Sequence, residues 1–518
     1  MIYARSLVAA SLLLSVYASP SPANIYERDN TDGFVAFPVQ AIDRTSQPSF
    51  RRRQAASPLT NKFTGTFYQI TLSIGSNSQN VSVQLDTGSS ELWVNPDCTT
   101  APTVKLQNFC ESLSRYNPAT STSSNNLGDN FELAYGKGEV DGVYYTDDIK
   151  VGSSTIKGQQ FGVASDSIDL GTGILGVGLH TPEFNYPSFI ESLAAQGQTK
   201  SVAFSLDLRS VDEDFGLGSV IFGGIDTKKY KCDLAKSSII PASQAPGDYP
   251  RYWIYLTGIG QTVPGQSSKS YALPSGNSKG LPVFLDSGGT LSSIPASLFT
   301  AIGQDYPGAR LDSTGTLYDV PCNAPSGSID FTFGGKTISV AYSDFIWNTD
   351  GTCFLGIKSE PSGEYVLGDS FLRAAYVVYD VDNQNLWLDQ ADECGSNVIA
   401  IGKGPDAVPQ VKGCGCGSSS TSSSVSKSVS TSSEGPATVT STPGTTPVTT
   451  PRVTPTNVIP SVPSVPVATF GNGTATMTRP TGSGSFTPTV APFLGAASGF
   501  TVSAISVLSP FFAALFML

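Results

Sequence analysis

One short motif, present twice, constrains this chain more than anything else in it. Leu85-Asp86-Thr87-Gly88-Ser89-Ser90 returns as Leu285-Asp286-Ser287-Gly288-Gly289-Thr290. Each copy ends an apolar, strand-like run and sets one carboxylate on a glycine turn. Each is followed further along by an apolar-apolar-Gly segment, Gly173-Ile174-Leu175-Gly176 in the first half and Tyr365-Val366-Leu367-Gly368-Asp369 in the second. The repeated order implies two homologous lobes, each bringing one carboxylate to a cleft between them. Clefts of this kind are common ligand sites.

The pattern between these landmarks is all-β. Phe67 to Gly75 and Val81 to Leu85 alternate apolar and polar residues, as half-buried strands do. Further strands are expected at Ser201 to Leu208, Ser219 to Phe222, Ile329 to Phe333 and Tyr376 to Val381. Helical patterns are few and short, the best being Pro187 to Gln196 and Pro295 to Gly303. Many strands joined by Gly-rich turns imply barrels or sandwiches.

The ends differ from the middle. Residues 1-18 read as a secretory signal, with Arg5 as a weak basic start, an apolar run from Ser6 to Val16, and small residues at Val16-Tyr17-Ala18. Residues 19-53 are polar around one apolar patch, 33–39, and end in Arg51-Arg52-Arg53, which reads as a pro-peptide with a processing site. Secretion places the eight cysteines in an oxidising compartment, where they are expected to form disulfides. Residues 413-483 lead into a Ser/Thr/Pro-rich run that cannot bury a core and is expected to be a glycosylated stalk. Asn80-Val81-Ser82 and Asn472-Gly473-Thr474 are N-glycosylation sequons. Small residues near Ser483, a spacer and the apolar run Val502 to Leu518 fit a GPI signal over residues 484-518. Ser483 is the chosen attachment residue, with Gly482, Gly484 and Gly495 as rivals and a plain tail anchor as the alternative. The expected place of work is the outer face of the plasma membrane or the cell wall, reached by the secretory pathway.

A formal net charge of -12 argues against nucleic acid as a partner and suits work at low pH. The chain has one histidine, His180, so a Ser-His-Asp or Cys-His apparatus has almost nothing to build on. A serine hydrolase built on Ser89 or Ser287 fails for want of a base.

Taken together, the two Asp motifs, Glu91-Leu92-Trp93-Val94, Tyr135-Gly136-Lys137-Gly138 and Phe371-Leu372-Arg373 make residues 63 to 395 resemble the pepsin-like aspartic endopeptidases. The signal, basic-ended pro-segment, stalk and GPI-like tail narrow the likeness to the fungal yapsin-type group. The resemblance implies a bilobal pepsin-like fold of two β-barrel-like lobes, here residues 54-240 and 241-395. It implies Asp86 and Asp286 as the catalytic pair. Thr87 and Ser287 would cross-link the two turns, Gly88 and Gly288 would allow their close approach, and Ser89 would hydrogen-bond Asp86. Tyr135, Gly136, Lys137 and Gly138 would form a flap over substrate, with the Tyr135 phenol directed towards Trp93. Disulfides Cys98–Cys110 and Cys322–Cys353 are implied too. The pairing of Cys232, Cys394, Cys414 and Cys416 stays open, with Cys232–Cys394 one possibility. The spacing of Cys414 and Cys416 could suggest a metal, but a secreted chain with no nearby His argues against one.

The chemistry follows from residue types. Two carboxyls in contact cannot both ionise easily, so they share a proton and titrate as a unit. The ionised one can take a proton from water while the other hydrogen-bonds the developing oxyanion and protonates the leaving nitrogen. No cofactor is called for. The substrate would be an extended polypeptide and the enzyme a monomer, held to the membrane through a GPI lipid. A non-catalytic wall glycoprotein that keeps the same fold is the competing reading. Two positions depart from the family pattern. Gly289 lacks the hydroxyl that many members place beside the second Asp, which should raise the acidic limb and extend activity towards mildly acidic pH. Lys137 stands where several fungal relatives carry an acidic residue, although Glu139 and Asp212-Glu213-Asp214 could still supply negative charge.

Overall fold

The computed structural model describes residues 33–43 and 66–416, apart from 153, 182, 211–216, 275–277 and 350. The signal, Arg51 to Arg53, the acidic run 212–214, Asn472, Ser483 and the apolar tail lie outside the described residues.

The chain is mostly strand, and its two halves repeat one crossing. In the first, the strand Gln79–Asp86 runs parallel to Gly173–Gly176, with Leu85 opposite Leu175 and Asp86 opposite Gly176. The strand Leu92–Val94 pairs antiparallel to Gly173–Gly176 and parallel to Ser154–Ile168. In the second half, Leu281–Leu285 runs parallel to Val366–Leu367, with Leu285 opposite Leu367. Ser292–Ile294 pairs antiparallel to Val366–Leu367 and parallel to Ile357–Ser359. The apolar-apolar-Gly repeat therefore marks the strand that passes between the two arms of each Asp turn. A Cβ on Gly176 would lie 2.5 Å from the Glu91 nitrogen, and one on Gly368 2.4 Å from the Gly289 oxygen, so each crossing needs glycine.

The first-lobe strands join a central sheet that continues through Ala203–Asp207, Ala375–Asp380 and Asn385–Gln390. Alternation along Ala375–Asp380 serves two cores. Val377 and Tyr379 face the main core shared by the lobes, whereas Tyr376 and Val378 face a second cluster with Tyr230, Trp387, Ile401 and Val408. The expected strands fall within a few residues of those observed. The expected helices appear as Phe189–Ala195, capped by Ser188 and Glu191, and Ala296–Asp305.

Three features depart from the reading of the sequence. The strand Val35–Asp43 lies inside the expected pro-peptide yet pairs with Leu217–Phe222 on one side and Thr66–Ile74 on the other. Its apolar patch is a sheet strand, and withdrawing it would leave two ladders unpaired. A helix, Val104–Ser112, carries Cys110, which is bonded to Cys98. Finally, the chain does not end its fold at residue 395. Val398–Ala400 pairs with Gly224–Asp226, and the backbone nitrogens of Gly413, Cys414 and Gly415 donate to the oxygens of Cys232, Tyr230 and Lys231. That ladder brings Cys416 to Cys232, with Cα atoms 4.9 Å apart, and leaves Cys394 to bond Cys414. The possible Cys232–Cys394 pairing is thus not formed, because the returning segment occupies the flank of Cys232. Cys322 and Cys353 are bonded to each other.

Candidate active site

The two Asp turns meet where the lobes meet. Gly88 and Gly288 donate backbone N–H to Asp86 Oδ1 and Asp286 Oδ1, each at 2.8 Å. The turns are locked by a reciprocal set of hydrogen bonds. Thr87 Oγ1 donates to the Leu285 oxygen at 2.9 Å and accepts from the Ser287 nitrogen at 2.9 Å. Ser287 Oγ donates to the Leu85 oxygen at 2.9 Å and accepts from the Thr87 nitrogen at 3.2 Å. Both hydroxyls are buried. This arrangement forces the carboxylates together. A Cβ added to Gly88 would stand 2.6 Å from Asp286 Oδ1, and one added to Gly288 would stand 2.5 Å from Asp86 Oδ1.

The pair is not symmetric. Ser89 Oγ donates to Asp86 Oδ2 at 2.5 Å, whereas the equivalent place in the second turn is Gly289. A Cβ on Gly289 would lie 3.5 Å from Asp286 Oδ2, in ordinary contact, so the site has room for the side chain it lacks. Burial, and then the neighbouring Asp86 charge, push the Asp286 carboxyl well above the usual range, against the pull of the Gly288 N–H and the Arg251 cation.

Over the turns lies the hairpin formed by Asn125–Ala134 and Glu139–Val151. Tyr135 N donates to the Gly138 oxygen at 2.9 Å to close its tip. Gly136 and Lys137 are exposed there, and Gly138 holds a φ of 87°. The Tyr135 phenol accepts from Trp93 Nε1 at 2.8 Å, and burial, then the Asp86 charge, push it well above the ordinary phenol range. Glu139 is exposed at the base of the tip, and Asn80 is exposed at the start of its strand.

His180 stands apart from the Asp pair, bonding Glu191 Oε2 at 3.0 Å and the Phe184 oxygen at 2.8 Å. Both sulfurs of the Cys414 and Cys416 pair are consumed in disulfides. Two residues escaped the reading of roles from sequence. Arg251, buried beside the first turn, lines a narrow crevice with Ser89, Leu179 and Tyr249. Its guanidinium lies 4.9 Å from the Phe284 ring centre and 3.5 Å from Glu364. Glu91 is buried, with Tyr144 and Tyr186 on its carboxyl. The one available signal was a charged residue inside the apolar run that follows the first Asp turn.

Residues 67–391 match the family model described as "Eukaryotic aspartyl protease". The chain is 33% identical over 414 residues to "Acid protease" of Saccharomycopsis fibuligera, covering 74% of this chain and 99% of that one. It is 32% identical over 420 residues to "Candidapepsin-3" of Candida albicans, covering 76% and 98%. A solved structure similar to it is the aspartic proteinase from Irpex lacteus, with a TM-score of 0.49 and 22% identity, covering 69% of this chain and 97% of that one. The chain belongs to the eukaryotic aspartyl protease family and is an aspartic-type endopeptidase.

Proposed function

We propose that this endopeptidase works at acidic pH on the outside of the cell, held there by a GPI lipid, with Asp86 and Asp286 as its catalytic pair. The observation that carries the catalytic reading is the mirror placement of the two carboxylates, each turn's glycine facing the other lobe's carboxylate. Asp286, held neutral by burial and by its partner's charge, keeps the shared proton. Asp86, which accepts from Gly88 and Ser89, acts as the base towards water. The attacked carbonyl oxygen takes a hydrogen bond from Asp286, which then gives its proton to the leaving nitrogen as the tetrahedral species collapses. The reaction forms no bond between enzyme and substrate and calls for no cofactor.

The hairpin tip at Tyr135 to Gly138 is the flap, and its closure over an extended polypeptide excludes water from the reacting centre. The exposed Lys137 sets this tip apart from an acidic one, so a preference for basic side chains does not follow from it.

The cell-surface part of the proposal rests on the sequence and on similarity to relatives named for secretion, such as "Secreted aspartic protease 8" of Candida albicans, 33% identical over 361 residues. The leader, the Ser/Thr/Pro-rich run, Ser483 and the apolar end together fit a yapsin-type anchored monomer carrying glycans at Asn80 and Asn472. Treating intact cells with phosphatidylinositol-specific phospholipase C tests the anchor. Release of peptidase activity into the medium is the expected result. Activity that stays with the cells in both the membrane and wall fractions of a Ser483→Pro variant with Gly482 and Gly484 also replaced would overturn it.

A further inference from the structure

A buried acidic side chain five residues after Asp86 is not used by the chemistry above. Glu91 is 4% exposed. Its Oε2 accepts from the Tyr144 phenol at 3.3 Å and from the Tyr186 phenol. These partners belong to different parts of the fold. Tyr144 sits on Glu139–Val151, the second strand of the flap hairpin. Tyr186 sits in the loop between Gly173–Gly176 and the helix Phe189–Ala195. Glu91 itself belongs to the first Asp turn, where its backbone oxygen accepts from the Gly176 nitrogen at 2.9 Å.

The surroundings make this joint stiff. The Tyr144 ring meets Tyr186 edge-on at 5.5 Å and Phe131, on the first flap strand, at 5.1 Å. Phe131 and Tyr144 share one apolar cluster with Trp93, and Tyr135 and Tyr186 pack against it. Trp93, two residues beyond Glu91, holds the flap Tyr135.

We propose that Glu91 is a positioning residue of this endopeptidase, its carboxyl being the joint that fixes the root of the flap and the loop carrying Tyr186 onto the Asp86 turn. The inference rests on the endopeptidase reading and deepens it. A mobile hairpin needs a rigid root if its tip is to close at one place over the two carboxylates. Through Tyr144, Glu91 holds that root, while Trp93, two residues on, bonds Tyr135 at the tip.

The same joint has a state that suits acid conditions. Burial pushes the Glu91 carboxyl up to about 7, while the Tyr186 and Tyr144 hydrogen bonds and the His180 charge pull it back. The titratable groups facing it are Tyr135 and Tyr144 from the hairpin, Tyr186 and His180 from the loop, and Tyr249 from the segment just before Trp253–Leu256. In acid the carboxyl is neutral and its burial costs little. Above neutrality it must hold a charge among phenols and apolar rings.

The test compares the full chain with Glu91→Leu, Glu91→Gln and Tyr186→Phe, using one extended fluorogenic peptide at pH 4. Titration with a pepstatin-type inhibitor counts folded sites, and Asp286→Asn serves as the inactive control. Glu91→Leu is expected to lose about tenfold or more in kcat/KM per titrated site, as small displacements of a positioning element do. Glu91→Gln keeps a carbonyl acceptor for the two phenols and is expected to recover most of that loss. Tyr186→Phe removes one of the two donors and should fall between Glu91→Gln and Glu91→Leu. Equal kcat/KM per titrated site in wild type and all three variants would overturn the proposal. So would Glu91→Gln being as impaired as Glu91→Leu. A wild type that cleaves nothing would instead bring down the endopeptidase reading itself.

Discussion

Replacing Thr87 by valine tests the lock between the two Asp turns. The change keeps side-chain volume and β-branching while deleting one hydroxyl. That hydroxyl serves two backbone groups of the other lobe, the Leu285 carbonyl and the Ser287 N–H, both at 2.9 Å. Thr87 is 1% exposed and Ser287 0%, so water cannot take over either bond without opening the interface. A buried backbone group left without a partner costs about 1–3 kcal/mol, which for two groups gives about 2–6 kcal/mol. The mirror pair made by Ser287 Oγ remains. The folded chain should therefore survive with its turns slightly displaced. A misplacement on the order of 1 Å at a reacting pair can cost about 100-fold in rate. Urea unfolding followed by tryptophan fluorescence at pH 4, with kcat measured on the same samples, gives both quantities. Ser287→Ala and the double variant complete a cycle. Because the hydroxyls serve one joint, the double variant should lose less than the sum of the single losses. A Thr87→Val protein within about 0.5 kcal/mol of wild type, with unchanged kcat, would refute the reasoning, since surface-like substitutions behave that way.

Three further outcomes follow from the same geometry. Gly289→Thr places a hydroxyl within reach of Asp286 Oδ2 and favours its charged form, so the acidic limb of the pH-rate profile should move to lower pH. An unchanged profile would contradict this. Glu91, raised by burial from 4.5 to about 7, holds a proton in the native state that the unfolded chain releases. Its contribution is fully present below about pH 4.5 and is lost as pH rises through about 7, amounting to about 3 kcal/mol. Urea midpoints should therefore fall less steeply across that range in Glu91→Gln than in wild type, and parallel slopes would refute the assignment. A chain ending at residue 395 should be less stable by at least about 3–6 kcal/mol. It loses the burial of Ile401 and Val408 against Tyr376 and Trp387, and both disulfides of the returning segment. Denaturant midpoints equal to those of the longer chain would show the segment to be dispensable.

The parts of the fold written locally were legible. An Asp turn and an apolar-apolar-Gly segment are short, and the strands they close alternate cleanly, so the reading Val81 to Leu85 lies inside Gln79–Asp86. The reciprocal Thr87 and Ser287 bonds span some 200 residues, and it was the resemblance to the pepsin-like endopeptidases that implied them. What stayed hidden depends on distant partners. Val35–Asp43 contains a proline, and its two neighbouring strands lie elsewhere in the chain. The returning segment 396–416 is rich in glycine, and its order comes from distant partners, the Gly224–Asp226 strand and the Tyr230–Cys232 backbone. The long hairpin Glu139–Val151 and Ser154–Ile168 carries register shifts that break simple alternation. The joint at Glu91 reaches 53 residues forward to Tyr144 and 95 to Tyr186, and no local pattern encodes it.

The central claim is that Asp86 and Asp286 act as one acid-base pair. It is tested most directly by hydrolysis of a mixed peptide library between pH 3 and 7, with wild type and Asp286→Asn run side by side, with and without a pepstatin-type inhibitor. The account predicts cleavage by wild type that disappears both in the variant and with the inhibitor, while the variant's circular dichroism stays native. Cleavage that persists in Asp286→Asn, or a folded wild type, cut after Arg53, that cleaves nothing at any pH, would contradict it.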